Sequence, residues 1–384
     1  MIDFDVNGIV LRVNNKALGE VGNIRVMGKS LSEWAGSAIG VPCRTVEGSQ
    51  VVNLCEAVRS SVDRARSVTV ILYCDTPLVT AKTIAAAVDR LRAGKYNSMK
   101  LPRGFVFRTE HLFEMDSLYL NAEPANGEFD TVVDAESLSR VTDVIRRRIL
   151  RYHASNGVNI PDFNNTYIDS DAVISRGATV EPYNFIKGKT VIKEGAVIMP
   201  NNYIEDCIIG AGARIDSSRL YKSAVGSYTT VGPFAYLRPD SVVGEACRIG
   251  DFVELKNCII GSGTKVSHLS YVGDAQLGEK CNIGCGVVFV NYDGKNKHRA
   301  VVGNNVFIGS NANIIAPVTI EDRAFIAAGS TITDSVPKQA LAVARGRQYV
   351  KRDWKGNLYA PIEQNLPENG GVIDAAGKPN GGQQ

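Results

Sequence analysis

Histidine and cysteine are scarce in this chain of 384 residues, with four of the first and eight of the second. Their placement removes several classes of protein. Cys43, Cys55, Cys74, Cys207, Cys247, Cys258, Cys281 and Cys285 form no Cys-x-x-Cys pair and have no histidine at zinc-finger spacing, so a zinc module is not expected. Reduced, mostly buried thiols are expected instead, which suits the cytoplasm. Net charge is small: 43 basic residues face 40 acidic ones for a balance of +3, which gives no case for nucleic acid or an acidic membrane. No apolar run approaches the roughly 20 residues of a membrane span. The opening MIDFDVNGIVLRV is acidic at its start and lacks a signal-peptide layout. A cytoplasmic protein without a membrane span is the expectation.

What is present is a beat of six. Ile168, Ile174, Val180, Ile186, Ile192, Ile198 and Ile204 form a first run; Val225, Val231, Leu237, Val243, Ile249 and Leu255 form a second. Val302, Ile308, Ile314, Ile320, Ile326 and Ile332 form a third. Side chains six apart point the same way on an extended chain, whereas a helix of 3.6 residues per turn scatters them. A small residue often follows four places on, as at Ala172, Ala178, Ala196, Ala312, Ala324 and Ser330. Such repeats stack short strands into a parallel β-helix; an ordinary β-sandwich predicts simple alternation with irregular turns. The beat breaks at NYDGKNKHRAVV (291–302), where Lys295, Lys297, His298 and Arg299 sit in a polar segment thrown out of the coil. A cationic insertion in a regular solenoid points to function.

The first 135 residues read as an α/β domain with a partly parallel sheet. SVTVILYCDTP (67–77) is a buried strand ended by Pro77, TAKTIAAAVDRLRAG (80–94) a helix from Thr80 to Gly94, and NLCEAVRSSVDRAR (53–66) a helix feeding the strand. Residues 136–160 make a connecting helix and linker, with Leu138, Val141, Ile145 and Ile149 as the apolar stripe. Arg146, Arg147, Arg148 and Arg151 on that helix are read as a solvated or inter-domain face rather than a phosphate site. The coil domain is assigned to 161–350, and 351–384 to an extension disordered at its glycine-rich end.

Segment 232–297 holds polar residues that a structural coil does not need: GPFAYLRPD, GDFVELKN, KVSHLSYVGDA, CNIGCG and VNYDGKNK. Arg238, Lys256 and Lys297 suit a phosphate, and His268 has the residue type of a general base near neutral pH. These motifs, with IAAGSTIT (326–333) and AVARGRQ (342–348), resemble over about 155–350 the acetyltransferase half of the bacterial bifunctional GlmU family, which makes UDP-N-acetylglucosamine. The resemblance implies a left-handed coil, a homotrimer with sites between coils, and acetyl transfer from acetyl-CoA to the amine of glucosamine 1-phosphate. It implies His268 as the base and Glu254 as the carboxylate that orients it. Arg238, Lys256, Tyr271 and Lys297 would surround the sugar phosphate, and Asn282 would contact the sugar. Cys285, Asn291, Tyr292, Ser310, Ala328 and Arg345 would meet the coenzyme, Cys285 standing where the family commonly has alanine.

The N-terminal segment resembles the family's uridyltransferase domain in fragments only. VILYCDTPLVTAKTI (70–84) places Asp75 at the magnesium aspartate, GFVFRTEHLFEM (104–115) has a counterpart, and Asp134 stands near the second metal ligand. Where the family has a glycine-rich phosphate loop, this chain has IVLRVNNKALGEVGN (9–23), and Asn53-Leu54 replaces a uracil-contacting Gly-Thr. The expected architecture is therefore a reduced nucleotidyltransferase-like α/β domain with a mixed sheet, joined by a helix to the β-helix. The expected activity is acetyl transfer with uridyl transfer lost, magnesium mattering only if it survives. The alternatives are a bifunctional enzyme, an acetyltransferase for another amino sugar, and a non-catalytic trimeric scaffold.

Overall fold

The computed structural model describes residues 5–48, 54–116, 127–352 and 354. Asn53 and the end of the C-terminal extension, for which disorder was expected, lie outside them. Residues up to Arg345 form one compact unit.

The N-terminal sheet has five strands in the order Cys43–Glu47, Val6–Arg12, Val68–Tyr73, Gly104–Arg108, Ser98–Leu101. The first three run parallel and the last two antiparallel, the mixed sheet expected. Its central strand Val68–Tyr73 is buried at every residue, which is why that run reads as continuously apolar. Helix α1 (Leu31–Ile39) starts in a capping box: Ser30 Oγ accepts from Glu33 N, and Glu33 Oε2 accepts from Ser30 N. Helix α2 (Leu54–Arg59) is shorter than the expected 53–66: after Arg59 the bonds tighten to Ser61 N with Val58 O and Val62 N with Arg59 O, and the chain turns away. Helix α3 (Ala81–Ala93) is capped by Thr80 and ends at Gly94, as expected. Helix α4 (Thr109–Glu114) follows the antiparallel pair.

Helix α5 (Ala135–Ser155) is opened by Asp134, whose carboxylate accepts from Ser137 N at 2.8 Å. The residue expected beside a second metal is thus a helix cap. The arginines of α5 clamp the junction. Arg146 donates to the carbonyls of Phe163 and Asn164, Arg147 to Asn164 Oδ1 and Arg148 to Leu78 O. One continuous apolar core runs from Val21, Val26, Leu31 and Leu78 through Val141, Ile145 and Ile149 into Ile168 and the interior of the coil. The helix therefore covers the first rung, whose apolar interior would otherwise meet water.

The coil is a parallel β-solenoid of three faces with ten, nine and ten strands. Its first face begins at Thr166–Ile168, its second at Val173–Ile174 and its third at Thr179–Val180. The six-residue beat is its interior: Ile168, Ile186, Ile204, Leu220, Leu237, Leu255, Val272, Phe289, Ile314 and Ile332 stack inside the first face, all buried. Corner residues such as Phe234, Phe252 and Leu269 take positive φ. Each costs about 1–2 kcal/mol, which the ladder of backbone hydrogen bonds between rungs offsets.

The outer side of the first face changes character along the axis. Its early rungs carry a stack in which Tyr167 and Phe185 lie 4.8 Å apart and the Arg219 guanidinium sits over Tyr203 at 5.0 Å. Register then carries this line from Arg219 to Tyr236, Glu254 and Tyr271.

Candidate functional site

Three parts of the coil between residues 238 and 345 carry the expected site residues. The first is the outer side of the first face. Arg238 Nη1 donates to Glu254 Oε1 at 2.9 Å, and Glu254 pairs in register with Tyr271 on the next rung. Gly273 has no side chain because Tyr271 fills its space: a Cβ there would lie 2.3 Å from the Tyr271 hydroxyl.

The second part is the corner between the first and second faces. Asp274 is buried, and its carboxylate accepts from Lys256 Nζ at 3.1 Å, from Asn257 Nδ2 at 2.6 Å and from Asn291 Nδ2. Burial pushes this carboxyl up, but the three hydrogen bonds outweigh it and hold it below the usual carboxylate range. The extruded loop leaves here, between strands Val288–Val290 and Ala300–Val302. It is a tight hairpin: Asp293 accepts from the backbone N–H of Lys295 and Asn296, and pairs with His298 Nε2 at 2.7 Å. The hairpin returns Lys297 to Lys256, and contact with that ammonium holds the Lys297 amine below its ordinary range. Two cations meeting at one point favour an anion between them.

The third part is the corner between the third and first faces. Turn residues of successive rungs are hydrogen-bonded in a column. Leu269 N donates to Asp251 O, Gly286 N to His268 O, Asn311 N to Cys285 O and Gly329 N to Ser310 O. The column thus carries His268, Cys285, Ser310 and Ala328 on successive rungs, and the Arg345 stem packs against the turn at Gly329. Gly286 takes φ +73°, and a Cβ there would lie 2.2 Å from Asn311 Oδ1, so a side chain at this turn would displace the Asn311 amide and add backbone strain. From His268 to Ala328 is three rungs, about 14 Å at one strand spacing per rung. That length matches a long, narrow substituent with a reacting group at one end.

At the head of the column the imidazole of His268, half exposed, has Nδ1 2.5 Å from Asp251 Oδ1. Glu254, expected to orient this histidine, is paired with Arg238, and Asp251 is the carboxylate in contact with the ring. Asp251 precedes His268 by 17 residues, about one coil turn, and Asp274 precedes Asn291 by the same interval. Counting turns is the sequence signal that could have found both carboxylates.

Asn282 is not brought to this face. It lies on the third face in register with Lys265 and Phe307. Tyr292 is exposed on the loop, its hydroxyl donating to Gly294 O.

Asp75, the expected magnesium ligand, is 3 % exposed. Both its oxygens accept from Arg103, Oδ1 from Nε at 3.1 Å and Oδ2 from Nη2 at 2.6 Å. The guanidinium in turn lies 4.3 Å above the Tyr73 ring. A buried carboxylate with both oxygens held by one guanidinium is already neutralised, and a divalent ion would have to displace that cation, so these residues as paired do not fit magnesium. The segment in place of the phosphate loop is a short hairpin, Asn14–Asn15 against Gly19–Glu20. Its turn N–H groups at Ala17 and Leu18 are bound to Asn15 Oδ1, so they do not cradle an anion.

Residues 221–292 match the family described as the GMPPB C-terminal domain, and residues 299–334 match bacterial transferase hexapeptide (six repeats). The chain is 54% identical over 217 residues to the bifunctional protein GlmU of Clostridium acetobutylicum and 56% identical over 228 residues to that of Clostridium tetani. Each match takes in 56% of this chain and 48% of the relative, so the chain spans about half the length of the curated relatives it matches. The solved structure of Arabidopsis UDP-N-acetylglucosamine acyltransferase is similar at 16% identity, with a TM-score of 0.32 over 49% of this chain and 70% of its own.

Proposed function

We propose that this chain transfers acetyl from acetyl-CoA to the amine of glucosamine 1-phosphate, giving N-acetylglucosamine 1-phosphate for UDP-N-acetylglucosamine synthesis. The observation that carries the reading is the placing of His268, with its carboxylate, at the head of the column and beside the face where Lys256 and Lys297 meet. The lysines and Arg238 hold the phosphate, while Cys285, Ser310, Ala328 and Arg345 line the coenzyme. A thioester is already activated, so the residues need only orient the reactants and remove a proton. The amine lone pair attacks the thioester carbon and the C–N bond forms. His268 Nε2 takes the amine proton, the C–S bond breaks, and the departing thiolate is protonated to free coenzyme A. Asn291, bound to Asp274 within the lysine cluster, stands with Glu254 and Tyr271 on the sugar side, where it can meet the acetyl end of the coenzyme; Tyr292 on the loop is left for the coenzyme.

Asn282, on the third face, enters a site only if a second coil supplies it, which supports a homotrimer with sites between coils. Free thiols at all eight cysteines suit the cytoplasm, and no helix among the described residues is long and apolar enough to cross a membrane. Nucleotidyl transfer has been lost: Arg103 occupies the carboxylate that magnesium would need, and the hairpin replaces the phosphate loop. The N-terminal domain then serves as the cap of the first rung.

The test is thiol release from acetyl-CoA with glucosamine 1-phosphate, followed by UTP and magnesium in the same tube. Release that stops at the acetylated sugar phosphate is expected. Pyrophosphate and UDP-N-acetylglucosamine would overturn the loss of uridyl transfer, and no release would overturn acetylation of this acceptor.

A further inference from the structure

We infer that Asp251 is the positioning residue of the acetyl transfer: it fixes the tautomer and ring orientation of His268 and stabilises the imidazolium formed as the amine proton is taken. This rests on the function proposed above. The strands Arg248–Asp251 and Lys265–His268 are neighbours in the third face, with Asp251 and His268 in register. The two side chains therefore leave the sheet side by side at the same corner, and the contact needs no loop to form it. The hydrogen bond to His268 holds the Asp251 carboxyl below its usual range, so it is ionised near neutral pH and can only accept. Nδ1 must then carry the proton, which leaves the lone pair of neutral His268 on Nε2. Glu254 cannot take this part while Arg238 holds it at 2.9 Å.

The other titratable or charged side chains on the strands and turns packed around the imidazole are Arg248, Glu254, Lys265, Tyr271 and Cys285. Asp251 is the carboxylate in contact.

The experiment compares full-length wild type with Asp251→Asn and Asp251→Ala. Expected in both variants are a kcat lower by about 10- to 100-fold and KM for both substrates within about twofold. Imidazole ¹⁵N NMR of the resting protein, with the His268 signal identified by its loss in His268→Ala, should show the Nδ1–H tautomer in wild type and a mixture in Asp251→Ala. Unchanged kcat in folded variants, or a tautomer that does not respond to Asp251→Ala, overturns the inference. A wild type without turnover overturns the functional reading; the NMR signal still decides the contact, and a wild-type Nε2–H tautomer overturns it.

Discussion

Asp75 in the N-terminal domain and Asp274 in the coil are both buried carboxylates, 3 % and 7 % exposed, and they are neutralised in different ways. Asp75 has both oxygens on one guanidinium, so its charge is closed within a single pair. Asp274 is shared among Lys256, Asn257 and Asn291, and the hairpin then brings Lys297 to the same place. Across that face three cations, Arg238, Lys256 and Lys297, meet two carboxylates, Glu254 and Asp274. A pair that closes on itself holds a fold together. A cluster left one positive charge in excess calls for an anion from outside.

The contrast breaks first at His268. His268→Ala should lower kcat for acetyl transfer by about 10²–10⁴-fold with the circular dichroism and melting curve of wild type, because a half-exposed side chain at a corner contributes little to the coil. Turnover within a few-fold of wild type would remove the base from the mechanism. In the N-terminal domain the effect should fall on stability instead. Arg103→Ala leaves Asp75 buried without its cation and should cost about 3–5 kcal/mol, read as a lower denaturation midpoint, while acetyl transfer stays within about twofold at a temperature where the variant is folded. A restoration of its midpoint by magnesium would mean that Asp75 is a metal ligand after all.

The coil was legible in the sequence because its interior repeats every six residues, and each aliphatic beat lies inside. The extruded loop showed itself as the gap between Phe289 and Val302. Helix α2 was overextended because Arg64 and Arg66 continue a helical composition, while the tightened bonds at Ser61 and Val62 that end it leave no mark in residue type. The site was only half legible. Residue types identified His268, Lys256 and Lys297, but their partners are one coil turn away, and a pattern read within a motif does not see across 17 residues. Glu254 therefore seemed to belong to His268 in the next motif, while Asp251, in the same motif as Glu254, stood on the strand adjoining that of His268. Nothing in composition could show that Arg103 fills the oxygens of Asp75, since that pairing spans 28 residues of irregular sequence.

Smaller effects sharpen the same comparison within the coil. Lys297→Ala removes the surplus cation and should raise KM for glucosamine 1-phosphate about tenfold with kcat little changed, the difference shrinking as salt rises. A loss confined to kcat would place Lys297 at the reacting atoms instead. Cys285→Ala should do least. Its carbonyl is held by Asn311 N whatever the side chain, so the column keeps its path, and the change removes only one exposed sulfur from the column. KM for acetyl-CoA should move by about three- to fourfold, the scale of one methylene-sized contact, with kcat unchanged. Cys285 is the exposed thiol of the eight, so alkylation offers an independent reading. Coenzyme A should slow modification of Cys285, whereas glucosamine 1-phosphate alone should not, because the sugar's cations lie on the neighbouring face. Protection by the sugar phosphate and not by the coenzyme would exchange the two substrates between face and column.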